Sequence, residues 1–189
     1  MSRNKPRIIV AGIMLAAAAV VGWFLYSNSN NISSSVDTKV KISTSFYPLY
    51  EFTQQVVGTN ADVATVTPAG VEPHDFEPSP QQLAGIIDSQ LFIYIGGELE
   101  PWVEKFIQEN NVRSLRVTDG LVPESDARDP HVWLNPDYAQ QIAGKITDTV
   151  QQIDSQNTES YKELGQNYIL KLKELDEEMM SGLQDCASR

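Results

Sequence analysis

The sequence predicts an α/β fold in which a four-stranded, mostly parallel sheet is flanked by helices and followed by one long helix. Two observations predict this class. Between residues 40 and 155, short runs rich in β-branched and aromatic side chains alternate with segments of helical spacing, as in repeated strand–helix units. From Thr158 to Leu183, an apolar stripe recurs every three or four residues, which is typical of a helix. Because strands separated by helices pair in parallel through right-handed crossovers, a layered domain follows.

Changes in hydrophobic period predict the first half of the domain. Residues 40–46 alternate between apolar and polar side chains, which predicts a strand, and residues 49–58 carry apolar side chains at helical spacing up to a terminal glycine. Residues 63–67 form a second β-rich run. Residues 79–82, Ser-Pro-Gln-Gln, then supply an N-cap, a proline at the first helical position and a capping-box glutamine, so a helix begins there.

The second half of the domain is predicted from a buried run and from helix starts. Residues 91–95 form a continuous apolar run, which is typical of a strand buried on both faces. Pro101 opens a further helix, residues 112–117 form a fourth strand, and Asn135-Pro136 caps the next helix. The domain is therefore predicted to occupy residues 40–155.

The final helix is predicted to be longer than the domain is wide. From Thr158 to Leu183 it would extend about 39 Å, whereas a small domain is about 30 Å across. The apolar side chains near its far end therefore need another surface, from a second lobe, a partner protein or a coiled-coil mate. These side chains are Leu175, Met179, Met180 and Leu183.

The composition excludes several classes of function. The 189 residues include 14 Lys and Arg against 25 Asp and Glu, a formal net charge of −11. A surface this acidic repels phosphate backbones, so we expect cations rather than nucleic acid as partners. The single cysteine, Cys186, excludes an internal disulfide and a metal site built from cysteines. We expect it to be a semi-buried thiol.

The amino terminus has the pattern of a membrane-directed segment. Residues 8–25 contain no charge and follow three basic residues. At about 1.5 Å per residue this run nearly crosses a hydrocarbon core of about 30 Å, so we predict a membrane anchor or signal segment over residues 1–26, with a buried core helix as the alternative. The basic flank places the amino terminus in the cytoplasm and the remainder outside, anchored by the helix or secreted if the segment is cleaved. Residues 27–39, rich in Ser and Asn, are predicted to be a flexible tether.

The two histidines of the chain share one local context. His74 follows Glu72-Pro73, and His131 follows Asp129-Pro130. A preceding proline stiffens the approach to each imidazole, and the neighbouring carboxylates can hold a ring nitrogen or attract a cation. Each histidine also lies in a loop after a predicted strand, at the edge of an open sheet where ligands bind. We therefore expect the two imidazoles to meet.

A pair of imidazoles favours a transition-metal site, with ordinary loop histidines as the alternative. Imidazole suits zinc, with manganese, iron, nickel and copper as other candidates, and a tetrahedral site needs two more donors. The carboxylates available near the histidines are Glu72, Asp75, Glu77, Glu98 and Asp129. The sequence has no nucleophile motif, phosphate loop or His-Glu-x-x-His helix. We therefore expect no enzyme, and a metallohydrolase with two histidines and a carboxylate is the enzymatic alternative.

Four stretches of the chain carry longer motifs. Residues 68–80 read PAGVEPHDFEPSP and residues 129–136 read DPHVWLNP, while residues 45–50 read SFYPLY and residues 96–102 read GGELEPW. Together they resemble the zinc- and manganese-binding solute-binding proteins of metal-uptake ABC transporters, the cluster A-I receptors. The first two stretches are similar to the loops that carry the first and second metal ligands in that family. The likeness runs from about residue 40 to residue 189.

This resemblance implies that His74 and His131 are metal ligands, because the matching histidines of the family bind the metal directly. It also implies that residues 156–189 form the helix that links the lobe at residues 40–155 to a second lobe. That second lobe carries the third and fourth ligands in the family, and we expect this chain to stop about where it begins. The histidine-rich loop of many zinc-type members is replaced by the short, acidic residues 121–128.

The expected function is capture of Zn(II), with Mn(II) as the alternative, by an extracytoplasmic binding protein that delivers the ion to an ABC permease subunit. Because an imidazole must lose its proton to bind a metal, we expect affinity to fall below about pH 6. With two protein donors, the lobe alone should bind weakly and leave water on the metal. The alternative from another class is a membrane-anchored adhesion or interaction module whose contact surface is the apolar end of the final helix.

Overall fold

The computed structural model describes most of the chain, namely residues 20–23, 39–121, 129–184 and 186. The chain separates into two compact units, residues 1–38 and residues 39–189. All of the strands and the longer helices described here belong to the second unit.

Most residues of the two predicted amino-terminal segments are not among those that the structure describes. Of the anchor or signal segment predicted at residues 1–26, residues 20–23 are described, and they are helical. Of the tether predicted at residues 27–39, the structure describes only residue 39. Among the helices that the structure describes, none is both long and apolar enough to span a bilayer.

Four strands form one sheet in the second unit. They are β1 (Val40–Thr44), β2 (Ala61–Thr65), β3 (Leu91–Tyr94) and β4 (Ser114–Arg116). The order across the sheet is β2-β1-β3-β4, and every pair is parallel. Ile42 of β1 pairs with Val63 on one side and with Leu91 on the other. The four-stranded parallel sheet predicted from the sequence is therefore confirmed.

Helices connect the strands and cover the sheet. The longer helices are α1 (Tyr47–Val57), α2 (Pro80–Ile87), α3 (Val103–Asn110), α4 (Pro136–Ile153) and α5 (Thr158–Gly182). Single-turn 3-10 helices lie at Pro73–Asp75, Val132–Leu134 and Ser155–Asn157. The predicted alternation of strands and helices, followed by one long helix, is confirmed.

Several predicted element ends are wrong by one or two residues. Phe46 does not extend β1, because the chain turns there into α1 and Phe46 becomes its N-cap residue. The second strand covers Ala61–Thr65 rather than residues 63–67, although the N–H groups of Val66 and Thr67 still donate to Thr44 O and Ser45 O. The expected semi-buried Cys186 is exposed, because it lies beyond the end of α5.

The sheet is buried between two layers of helices. Leu91 and Ile93 of β3 belong to a core with side chains of α1, α4 and α5, whereas Phe92 and Tyr94 belong to a second core with α2 and α3. Successive residues of a strand point to opposite faces, so the two cores lie on opposite sides of the sheet. All four residues of β3 are buried, as the continuous apolar run predicts.

The far end of α5 extends past the core. Leu172 is its last buried side chain. Beyond it, four apolar side chains are between 45% and 60% exposed, which agrees with the argument from helix length: Leu175, Met179, Met180 and Leu183.

Two capped helices hold the loops that contain the histidines. Ser79 and Gln82 form the predicted capping box of α2, and the Gln82 amide also donates to Val66 O at 2.8 Å. The side chain of Asn135 accepts hydrogen bonds from the N–H groups of Asp137 and Tyr138 at the start of α4. These contacts fix the far end of each loop, so both loops stay at the carboxyl edge of the sheet.

Candidate metal centre

The structure brings the two histidines together. His74 lies in the 3-10 turn between β2 and α2, and His131 precedes the 3-10 turn between β4 and α4. The centres of the two imidazole rings are 6.0 Å apart, and the rings are inclined at 57°. Two imidazoles on one tetrahedral zinc ion have ring centres about 5 Å apart, given Zn–N bonds of about 2.0 to 2.1 Å. The observed spacing is therefore within a small side-chain adjustment of that arrangement.

The ring of His74 is held by a backbone carbonyl. Its Nδ1 atom lies 3.1 Å from the carbonyl oxygen of Glu98, in the turn after β3. Because a carbonyl oxygen only accepts hydrogen bonds, Nδ1 must be the nitrogen that carries the proton. In the neutral ring, Nε2 therefore keeps its lone pair free for another group.

The ring of His131 is held by a carboxylate. Its Nδ1 atom lies 2.7 Å from Asp129 Oδ1, and the backbone N–H of His131 donates to the same oxygen at 3.0 Å. These two contacts, the backbone bond above all, lower the pKa of Asp129 below its ordinary value. An ionised carboxylate accepts a hydrogen bond from Nδ1, so Nε2 of His131 is also left free.

An aromatic pair supports His131 from the side. The ring of Trp133 lies 5.2 Å from the ring of His131 and 4.7 Å from the buried ring of Phe46, in an edge-to-face contact. Phe46 is in turn part of the main core. Trp133 thus connects an exposed imidazole to the rigid part of the domain.

The carboxylates named as candidate donors do not join the histidines in a larger cluster. Within residues 39–121 and 129–184, no three His, Cys, Asp or Glu side chains are arranged to hold a metal ion. Asp129 contacts the ring of His131, and Glu98 contributes its backbone carbonyl rather than its carboxylate. The other three carboxylates are exposed on the loop around His74: Glu72, Asp75 and Glu77.

Sequence reasoning did not single out Glu100. Its side chain is 1% exposed, and it accepts hydrogen bonds from the backbone N–H groups of Gly96 at 2.7 Å and Ile95 at 3.4 Å. Burial raises the pKa of Glu100, against the opposing effect of the Ser45 hydroxyl and of these N–H groups. The only sequence signal was its place in the motif GGELEPW, and hydrophobic period says nothing about a buried acid.

Comparison with known proteins identifies close relatives. The sequence family described as zinc-uptake complex component A periplasmic, ZnuA, matches residues 42–189. The high-affinity zinc uptake system protein ZnuA of Bacillus subtilis is 34% identical over 188 residues, which cover 89% of this chain and 58% of the relative. The zinc-binding lipoprotein AdcA of Streptococcus pneumoniae is 32% identical over 197 residues, covering 94% of this chain and 39% of the relative.

A solved structure shares the fold as well as the sequence. The Zn(II)-bound ZnuA-like domain of Streptococcus pneumoniae AdcA superposes with a TM-score of 0.74 at 35% identity, over 79% of this chain and 57% of that one. The chain thus spans between about two fifths and three fifths of the length of these relatives. Since the family match covers residues 42–189 and the fold agrees, this chain belongs to the ZnuA family of periplasmic zinc-uptake components.

Proposed function

We propose that this chain is the metal-capturing lobe of an extracytoplasmic receptor that binds Zn(II), with Mn(II) as the alternative, and delivers it to an ABC permease subunit. The observation that carries the proposal is the pairing of His74 and His131, whose rings are 6.0 Å apart. Both Nδ1 atoms face hydrogen-bond acceptors, so each neutral ring can offer Nε2 to the same ion.

The two imidazoles supply half of a tetrahedral shell. Water, or donors from outside the described residues, takes the other positions, because zinc in proteins is typically four-coordinate. The formal net charge of −11 raises the local concentration of cations around the protein and speeds their approach. Both rings bind in the neutral form, so capture of the ion competes with protonation of the ligands.

The partners and the location are inferred from the family. Its members are periplasmic components of zinc-uptake complexes, so we infer a permease partner, an extracytoplasmic position and reversible binding without chemical turnover. Residues 1–26 would attach the protein to the cytoplasmic membrane or be removed as a signal. The metallohydrolase alternative has no observation in its favour.

The test is zinc affinity in single and double histidine variants of the full chain. Competition against a chromophoric chelator should show that His74→Ala and His131→Ala each weaken binding at least tenfold and that the double variant binds no zinc above background. Gln166→Ala, an exposed position on α5, is the control and should bind as the wild type does. Unchanged binding in the double variant would reject the ligand assignment. Parallel titration with Mn(II) ranks the two cargoes.

The interaction-module hypothesis rests on the exposed apolar end of α5. It predicts self-association that increases with protein concentration and does not respond to zinc. Sedimentation velocity over a range of concentrations, with and without zinc, separates it from the receptor hypothesis. The variant Leu175→Ser with Met179→Ser should abolish such association while leaving zinc affinity intact.

A further inference from the structure

The turn after β3 provides the acceptor that orients His74. Gly96 and Gly97 have φ values of 89° and 65°, a left-handed backbone that favours glycine. These two residues reverse the chain so that the carbonyl of Glu98 faces Nδ1 of His74 at 3.1 Å. The direction of that carbonyl therefore depends on the shape of the turn.

Glu100 supports this turn from inside the protein. Its carboxylate accepts the N–H of Gly96 at 2.7 Å with one oxygen and the N–H of Ile95 at 3.4 Å with the other. Two backbone groups that point into the core are thereby satisfied by one side chain. Among the described residues, Glu100 is the one acidic or basic side chain that is buried.

Arg116 holds the same turn through the backbone carbonyl of Ile95. Its Nε atom donates to Ile95 O at 3.2 Å, and Thr118 Oγ1 donates to the same oxygen at 2.9 Å. A β-carbon on Gly96 would lie 2.7 Å from that Nε atom, so the guanidinium packs directly on the glycine. Because Glu100 binds its N–H groups and Arg116 binds a carbonyl, the turn has little freedom to rotate.

We propose that Glu100 is a positioning residue for His74, which it orients by fixing the Gly96–Gly97 turn so that Glu98 O accepts from His74 Nδ1 and Nε2 stays free for the metal. This role rests on the proposed function of His74 as a ligand. Outer contacts that orient a ligand histidine typically change metal affinity 10-fold to 100-fold when removed. The carboxylate acts through the backbone and does not touch the ion.

The decisive measurement does not need a metal. Nitrogen-15 shifts of the His74 ring in the metal-free full chain, at about pH 8 where imidazole is neutral, report which nitrogen carries the proton. The wild type should show the Nδ1-protonated tautomer. Glu100→Gln replaces one acceptor oxygen by an amide donor, so that one of the two N–H groups faces another donor, and should give a mixture of tautomers with a loss of zinc affinity of about tenfold.

Matched variants separate positioning from a general loss of stability. Glu98→Gln keeps the backbone carbonyl and should leave the tautomer unchanged. Gly97→Ala strains the turn itself and should shift the tautomer as Glu100→Gln does, which keeps the test valid if the latter fails to fold. Gly58→Ala imposes a comparable strain, since its φ is 57°, at the end of α1, where the added β-carbon would meet Leu164 of α5, and should have no effect on the ring.

The outcomes are distinct for the two proposals. Wild-type ring shifts in both Glu100→Gln and Gly97→Ala would overturn the positioning role, as would an equal shift in Glu98→Gln. The opposite result is also informative. If the variants change the His74 tautomer but the wild-type chain binds no zinc, the proposed function is rejected, and the orientation of His74 by this turn stands.

Discussion

Gly165 of α5 lies directly against Thr147 of α4. A β-carbon added to Gly165 would come within 2.9 Å of Thr147 Cγ2 and 3.1 Å of Thr147 Cβ, and closer still to Oγ1. The Thr147 hydroxyl donates to Ala143 O at 2.7 Å, so the side chain is held in that position. The two longest helices of the domain therefore approach each other through a glycine.

The first prediction concerns this contact. Gly165→Ala should destabilise the domain by about 1 to 3 kcal/mol, because the new methyl group must displace Thr147 in a packed interface. Gly144→Ala is the matched control: it lies inside α4 with no atom within 4 Å of an added β-carbon, and should instead stabilise by about 0.5 to 1 kcal/mol. Urea denaturation measures both changes. Similar effects at the two positions would show that the close approach is unimportant.

A double variant tests the same contact from its other side. Adding Thr147→Ala to Gly165→Ala removes the hydroxyl and the methyl group that the new β-carbon meets, and should recover part of the lost stability. A double variant no more stable than Gly165→Ala alone would contradict the steric explanation. The coupling energy between neighbouring sites is expected to exceed about 0.5 kcal/mol.

The second prediction concerns the junction between α4 and α5. The Tyr161 hydroxyl donates to Asp154 Oδ2 at 2.6 Å, and the Asn157 amide donates to the same oxygen at 2.8 Å. Burial alone would raise the pKa of Asp154, but these hydrogen bonds outweigh it and hold the pKa below its ordinary value. Tyr161→Phe should cost about 1 to 2 kcal/mol at neutral pH.

The pH dependence of that cost has a definite sign. A carboxyl whose pKa is lower in the folded than in the unfolded state stabilises the protein above its unfolded pKa, and this stabilisation is lost as pH falls through the folded pKa. The difference between wild type and Tyr161→Phe should therefore shrink on acidification from neutral pH to below about pH 4. Tyr47→Phe, at an exposed ring, should show no such trend, and a constant difference would disprove the link to Asp154.

The third prediction concerns the tryptophan beside His131. Since Trp133 lies 5.2 Å from the His131 ring, zinc binding should change its fluorescence. The zinc response should persist in Trp102→Phe, whose ring contacts Phe92 and Phe106 in the other core, and should disappear in Trp133→Phe. A response that follows Trp102 would place the ion elsewhere.

The fourth prediction concerns the acceptor that orients His131. Asp129→Asn removes the ionised acceptor of the Nδ1 proton, so zinc affinity should fall about 10-fold to 100-fold. Asp75→Asn, an exposed acid in the other histidine loop, is the control and should retain affinity. Competition titration measures both variants, and equal losses would indicate a general effect of charge rather than orientation of the ring.

Periodicity and capping residues predicted the order of strands and helices, because these signals are local in the sequence. The capping box at Ser79 and Gln82 and the buried run at residues 91–95 are examples. The meeting of His74 and His131 was also predicted, since the ends of parallel strands gather at one edge of a sheet. The ligand role of these two histidines remains a prediction.

The supports of the site could not be predicted in the same way. The acceptor for His74 is a backbone carbonyl 24 positions away, and its direction depends on two glycines in a left-handed conformation. The role of Glu100 could not be predicted in an acidic chain, because its hydrogen-bond partners are backbone N–H groups that only the folded turn presents. A glycine such as Gly165 is unfavourable inside a helix, and only the packing of α4 against it explains its presence in α5.

His74 and His131 lie on different connections of the sheet, so the unfolded chain seldom holds them together. An ion bound by both rings, as proposed, would therefore act as a reversible cross-link that exists only in the folded state. At a free ion concentration 100 times the dissociation constant, such linkage adds about 2.7 kcal/mol to the free energy of unfolding. The loaded protein should accordingly resist heat and proteases better than the empty one.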